Sequence, residues 1–221
     1  VTRLAALLLA AVAAGCAPAL VPPGAPPAAD APGDPAALAA EVLALARRSE
    51  AEPSSARRAS LSSQALALGL RCDRAAPATA PCDYALAIAL GLQAREHPTT
   101  LLEGLAQMAI RLRRAAGTQP GLDQAGPDRV LALLLLQAPG WPLGPGDHEE
   151  GLAAARRAVA LFPDHPPNQL ALAEALLASG DEAGGRAAAG RALALAAAPE
   201  RAGDPEASGW LRQARKLADS P

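Results

Sequence analysis

Apolar residues recur along this chain at helical spacing and nowhere alternate for long enough to make a strand. Leu101, Leu105, Met108 and Leu112 fall at i, i+4, i+7 and i+11. Leu152, Ala155, Val159 and Phe162 fall at i, i+3, i+7 and i+10. Each series lays one apolar stripe along a helix. Arg111, Arg113 and Arg114 lie off the first stripe, and Arg156 and Arg157 lie off the second. Ala85–Leu90 and Val130–Leu136 are apolar nearly all round, which predicts helices buried at the centre. Breaks at Pro53, Pro77, Pro81, Pro98, Pro120, Pro142, Pro163, Gly180 and Pro205 divide the pattern. The helices predicted between them span 35–49, 55–71, 82–95, 99–116, 127–137, 147–161, 166–179, 181–196 and 205–218.

Composition agrees with an all-α fold. Ala and Leu abound, and both lose little side-chain freedom in a helix. Two Trp, one Tyr and one Phe are far too few aromatics for a sandwich or barrel. Alanine-rich helices are thin and pack closely. The formal charge of −2 comes from interspersed acids and bases, with no clustered basic face for nucleic acid.

The first 35 residues have a different character. Arg3 is followed by an apolar run from Leu4 to Ala14, shorter than the ~20 residues a membrane-spanning helix needs. It suits the apolar region of a signal peptide. Ala13, Ala14 and Gly15 then precede Cys16, and this run resembles a bacterial lipobox, with Ala at 13 where Leu is favoured. The resemblance implies cleavage after residue 15 and acylation of Cys16, palmitate among its chains. An ordinary cleaved signal peptide with an incidental Cys is the alternative. Two or more acyl chains anchor a protein stably. Ala17 follows, without an Asp retention signal, which by the same resemblance implies the outer membrane, periplasmic face. Residues 16–34 then read as a lipidated Cys and proline-rich tether. At about 3.1 Å per residue it reaches on the order of 50 Å. Residues 35–221 are the helical domain.

The helices also repeat. Gly146 and Gly180 are 34 residues apart, as are Ala158 and Ala192. That is the tetratricopeptide (TPR) period. Residues 146–195 resemble TPR sequence, with Gly at the turn between paired helices, Ala where helices approach, and Pro163 closing the unit. Leu172, Ala173 and Leu176 match apolar positions of the first helix of a pair. A weaker copy lies upstream: Ala115 and Pro120 share the five-residue spacing of Ala158 and Pro163 at an offset of 43. The extra residues fall in 138–146, APGWPLGPG. The architecture implied is a TPR-like antiparallel helix-pair solenoid of about nine helices. A plain helical bundle with chance spacing is the alternative.

Chemistry-bearing motifs are sparse. Cys72 and Cys82 flank a short Pro-containing stretch, and in an exported protein that arrangement favours a disulfide over two buried thiols. The run DHEE at 147–150 has Leu, not His, at position 152, so it fails the zinc-protease pattern. It reads instead as Asp147 capping an acidic first turn. His97 and His165 each precede a proline and read as turn residues. The chain carries no G-x-S-x-G elbow and no P-loop. No metal site, cofactor or enzymatic function is implied. Trp141, in the insertion, is expected to pack as a plug over the solenoid, or else to line a groove and meet a ligand.

Asp123, Gly126, Pro127, Arg129, Pro139, Trp141, Pro142, Gly146, Asp147, Pro163 and Asn168, followed by a TPR-like pair, are similar to the T component associated with TRAP (tripartite ATP-independent periplasmic) transporters. The resemblance implies a non-catalytic accessory of solute uptake. Such a protein contacts the periplasmic solute-binding protein, forms a homo-oligomer, and takes a hydrophobic small molecule as ligand. The other reading is a general TPR scaffold for protein–protein interaction in the envelope. Arg129 and Asn168 are the candidate polar contacts and Trp141 the apolar one. An apolar pore would favour the uptake accessory, and a polar Asn/Arg-lined groove the scaffold. Trp210 is expected to cap the last helix pair.

Overall fold

The computed structural model describes residues 33–96 and 101–219. The lipobox and Cys16, most of the tether and the His97 turn lie outside the described residues. Those residues form α1 (Pro35–Ala51), α2 (Ser55–Ala75), α3 (Ala80–Glu96), α4 (Leu101–Thr118) and α5 (Gly126–Gln137). After these come α6 (His148–Leu161), α7 (Pro166–Ala178), α8 (Glu182–Ala196) and α9 (Ala207–Ala218). A short 3-10 turn at Pro199–Arg201 precedes α9. The fold is all-α. None of these helices is long and apolar enough to cross a membrane.

Each helix packs on the next, and α1 also packs on α3, α5 on α7 and α7 on α9. Consecutive pairing with added odd-to-odd contacts on α1–α3 and α5–α7–α9 is the packing of a helix-pair solenoid. The two stretches apolar all round are central: α3 packs on α1, α2 and α4, and α5 on α4, α6 and α7. In α6 the buried face differs from the expected stripe. Gly151, Ala154, Ala155 and Ala158 are buried, whereas Leu152, Val159 and Phe162 flank them half-buried. Small residues take the contact line because the neighbouring backbones come close. At Gly151 an added Cβ would stand 3.3 Å from the Ala132 carbonyl oxygen.

The two glycines 34 residues apart both sit at helix-pair turns, for different reasons. Gly180 adopts φ +84° between α7 and α8, a left-handed conformation that costs glycine little. Gly146, between α5 and α6, is needed for space: a Cβ there would lie 2.2 Å from the Ala138 carbonyl oxygen. Its N–H donates to the Pro139 carbonyl at 2.8 Å and holds the insertion 138–146 closed at its base. Asp147 caps α6, accepting from the Glu150 N–H.

Two buried carboxylates lock odd helices to the even helix that follows. Asp83, in the first turn of α3, is fully buried and accepts from Arg111 and Arg114 near the end of α4. Asp128, in the first turn of α5, is 3% exposed and accepts from Arg157 of α6 at 2.6 and 3.0 Å. Arg114 and Arg157 each stand four residues before their helix ends. The clamp is thus a repeated feature of the pairs. Arg111 also forks onto Asp73 at 2.8 and 3.0 Å. Beside it, Cys72 of α2 and Cys82 of α3 are joined in a disulfide. In the chain-entropy picture such a closure contributes about 2–4 kcal/mol. The Cys72→Ser/Cys82→Ser double variant should therefore melt roughly 5–15 °C below the parent in calorimetry. An unchanged melting temperature would show that helix packing alone holds α2 on α3.

Candidate functional site

The turn entering α5 is the most strained segment of backbone described. Asp123, Gln124 and Ala125 take φ values of 47°, 53° and 64° in succession. Left-handed conformation costs a residue bearing a Cβ about 1–2 kcal/mol, so three in a row must be held by their surroundings. Arg129, one turn into α5, folds back and donates to the Asp123 and Gln124 carbonyls at 3.3 and 3.2 Å. It also donates to the Asp123 carboxylate at 3.0 Å. The Tyr84 hydroxyl of α3 donates to the same carboxylate oxygen at 2.7 Å. Gly126 lets this happen, because a Cβ there would sit 2.5 Å from Tyr84 Oη and 2.7 Å from Asp123 Oδ2.

Asn168 of α7 completes the network. Its side-chain amide donates toward the carbonyls of Gln124, Ala158 and Phe162 at 3.1–3.2 Å. Its oxygen accepts from Arg129 at 3.0 Å. Three carbonyls on one side and a guanidinium on the other fix the orientation of the amide. Asn168 is fully buried and every polar atom is used. It offers a ligand no surface. Its role is to tie α7 to the end of α6 and to the strained turn.

This network forms part of the wall of a cavity of about 320 Å³. Each odd-numbered helix, or the turn leading into it, lines that cavity: Leu43 and Arg47 from α1, Ile88 from α3, Arg129 from α5, His165 at the start of α7, and Trp210 from α9. First and last helices face one space, so the odd-numbered helices line the concave side of the solenoid. Within the cavity the His165 and Trp210 rings meet edge to face, centroids 6.1 Å apart, and the Arg201 guanidinium lies 5.7 Å from the Trp210 ring centre. The opposite face of Trp210's neighbourhood is apolar, with Leu170, Ala192 and Ala214 packed beside it.

Burial, with Arg129 and Arg201 nearby, pushes the His165 ring down to about 4, while Asp123 and Asp204 oppose the shift. Burial also raises the Tyr84 hydroxyl well above its ordinary value, keeping it a proton donor to Asp123 at neutral pH. His165 Nδ1 is buried without a hydrogen-bond partner. Among the described residues no group of His, Cys, Asp and Glu is arranged to hold a metal ion.

Of the residues singled out from sequence, Arg129 lines the cavity and Asn168 stands behind its wall. Trp141 is placed elsewhere. It is 90% exposed and does not plug the solenoid, because the insertion closes on its own backbone hydrogen bonds and leaves the ring outside. Sequence reasoning missed Tyr84, Arg47 and Arg201, and read His165 as a turn residue only. Trp210 does pack on the last pair, and one side of it also faces the cavity. No protein-family model matches the chain, and no curated protein matches it significantly.

Two outcomes follow. The His165 ring should titrate near 4 by NMR. A group held neutral by burial loses stability as pH falls from its unfolded value of about 6.5 through its folded one, so the native state should weaken between those limits. A midpoint at or above 6.5 would show an open, solvated ring. The Asn168→Ala variant leaves Arg129 and the Gln124 carbonyl short of partners. It should lose about 2–4 kcal/mol in urea unfolding, and a loss under ~0.5 kcal/mol would remove Asn168 as the tie.

Proposed function

We propose that this protein is a non-catalytic binding module, anchored to a membrane surface through Cys16 and presenting its concave cavity to a polar ligand or to a polar segment of a partner in the bacterial envelope. The observation that carries this reading is the cavity itself: five helices distant in sequence contribute to one wall. Its charged and hydrogen-bonding lining of Arg47, Asp123, Arg129 and Glu206 suits a polar ligand better than a hydrophobic solute. This favours the envelope scaffold over a carrier of apolar molecules.

The uptake-accessory reading has one observation in its favour. Four of the residues that carry the resemblance to the TRAP T component converge in space: Asp123, Gly126, Arg129 and Asn168 form one network on the cavity wall. A role beside a periplasmic solute-binding protein is compatible with the same cavity, provided that what it takes is polar.

Photo-crosslinking in the native envelope tests the site. With benzoylphenylalanine in place of Leu43, inside the cavity, a specific adduct is expected; in place of Leu161, on the exposed end of α6, none is expected. Equal yields at both positions, or none at Leu43, would overturn the reading. Metabolic labelling with palmitate tests the anchor. The parent chain should incorporate label and Cys16→Ser should not; label retained in the variant would place the modification elsewhere.

A further inference from the structure

The cavity's lining carries six charged side chains, and four of them are neutralised within the chain. Arg129 meets Asp123 at 3.0 Å, and Arg201 meets Asp204 at 3.7 Å. The other two are Arg47 on α1 and Glu206 immediately before α9. Neither side chain has a hydrogen bond or ion pair with any described residue. They are of opposite sign, and they come from the first and the last of the helices that close around the space. The apolar Leu43 and Ile88 and the half-buried ring of Trp210 line the same cavity. His165 Nδ1, on the same wall, has an unfilled hydrogen-bonding valence.

We infer that the cavity binds a small zwitterion, a free amino acid or dipeptide, with its carboxylate on Arg47, its ammonium on Glu206 and its apolar side chain against Leu43, Ile88 and Trp210. The inference rests on the binding reading above and names the ligand class for that site. A volume of about 320 Å³ is at the small end of ligand pockets. It admits one or two residues and excludes a long peptide in full. A simple anion would engage only Arg47 and a simple cation only Glu206. A ligand with both charges satisfies both ends. It also bridges α1 to α9, so binding should stiffen the solenoid.

Calorimetric titration of the full chain decides it, with leucine, leucyl-alanine, N-acetyl-leucyl-alanine and leucyl-alanine amide as probes. Leucine or leucyl-alanine should bind, and each blocked dipeptide should bind at least about tenfold more weakly than leucyl-alanine, the cost of one charge-assisted hydrogen bond. Arg47→Gln should bind the acid and the amide equally while still rejecting the acetylated form. Glu206→Gln should show the opposite pattern. Both side chains are exposed, so neither change threatens the fold. Blocked and free forms binding alike, or no binding by either free probe at millimolar concentration, overturns the inference. If leucyl-alanine fails while the Leu43 position still yields its crosslink, the cavity binds another class of ligand and only this inference falls. If both fail, the cavity is not a binding site.

Discussion

Alanine sets the terms on which this fold holds together. At Ala154, Ala155, Ala158, Ala188, Ala189 and Ala192 the contacting faces of the later helices are made of methyl groups, nearly all wholly buried. Such faces let helix axes approach toward the short end of the 8–10 Å range. They also bury little area per residue, and burial stabilises at only about 25 cal/mol per Å². A smooth methyl surface also defines register poorly, since it has few knobs to seat in holes. Specific register has to come from somewhere else, and here it comes from polar ties placed at the helix ends.

Those ties follow one plan. A carboxylate in the first turn of an odd helix, Asp83 or Asp128, receives arginines from the end of the even helix after it. Each carboxylate sits in the first turn of its own helix, near the positive end of the dipole. Arginine reaches it from a partly exposed position, so one partner's desolvation is spared. The Asn168 network applies the same logic between pairs, with backbone carbonyls as the acceptors. Two of its acceptors, the Ala158 and Phe162 carbonyls, are at the end of α6, and the third, the Gln124 carbonyl, belongs to the left-handed turn 123–125, so Asn168 joins that strained turn to α6 and α7.

The helices were legible because their signals are local. Proline and glycine punctuation with 3.6-residue periodicity placed every helix, and departures such as the longer α2 stay within a turn or so at an end. The 43-residue offset between Ala115 and Ala158 was visible for the same reason, and the Arg114–Arg157 clamps share it. The cavity was not legible. Tyr84 lies in a run that reads simply as core, and nothing local distinguishes it from its neighbours. Arg47 and Glu206 look like any solvated charges until the superhelix brings the first and last helices to one space. Trp141 misled for a related reason. An aromatic beside prolines normally seeks cover, but a short insertion closed on its own backbone hydrogen bonds can leave the ring outside.

The absence of a facing helix also explains why the cavity wall is polar in a chain so rich in alanine. Helix faces that meet another helix can be methyl all along, because the partner excludes water. The concave face has no such partner. Its backbone turns, 122–125 and 202–206, bring unpaired carbonyls and N–H groups to the surface, and these recruit Arg129, Asn168 and Asp204 to satisfy them. Once those charges are committed internally, Asp123 and Arg129 cancel, as do Arg201 and Asp204. The pair the backbone did not use is Arg47 and Glu206. The solenoid's own hydrogen-bonding needs consume one set of charges and leave another, of opposite signs on α1 and just before α9, uncommitted within the described residues.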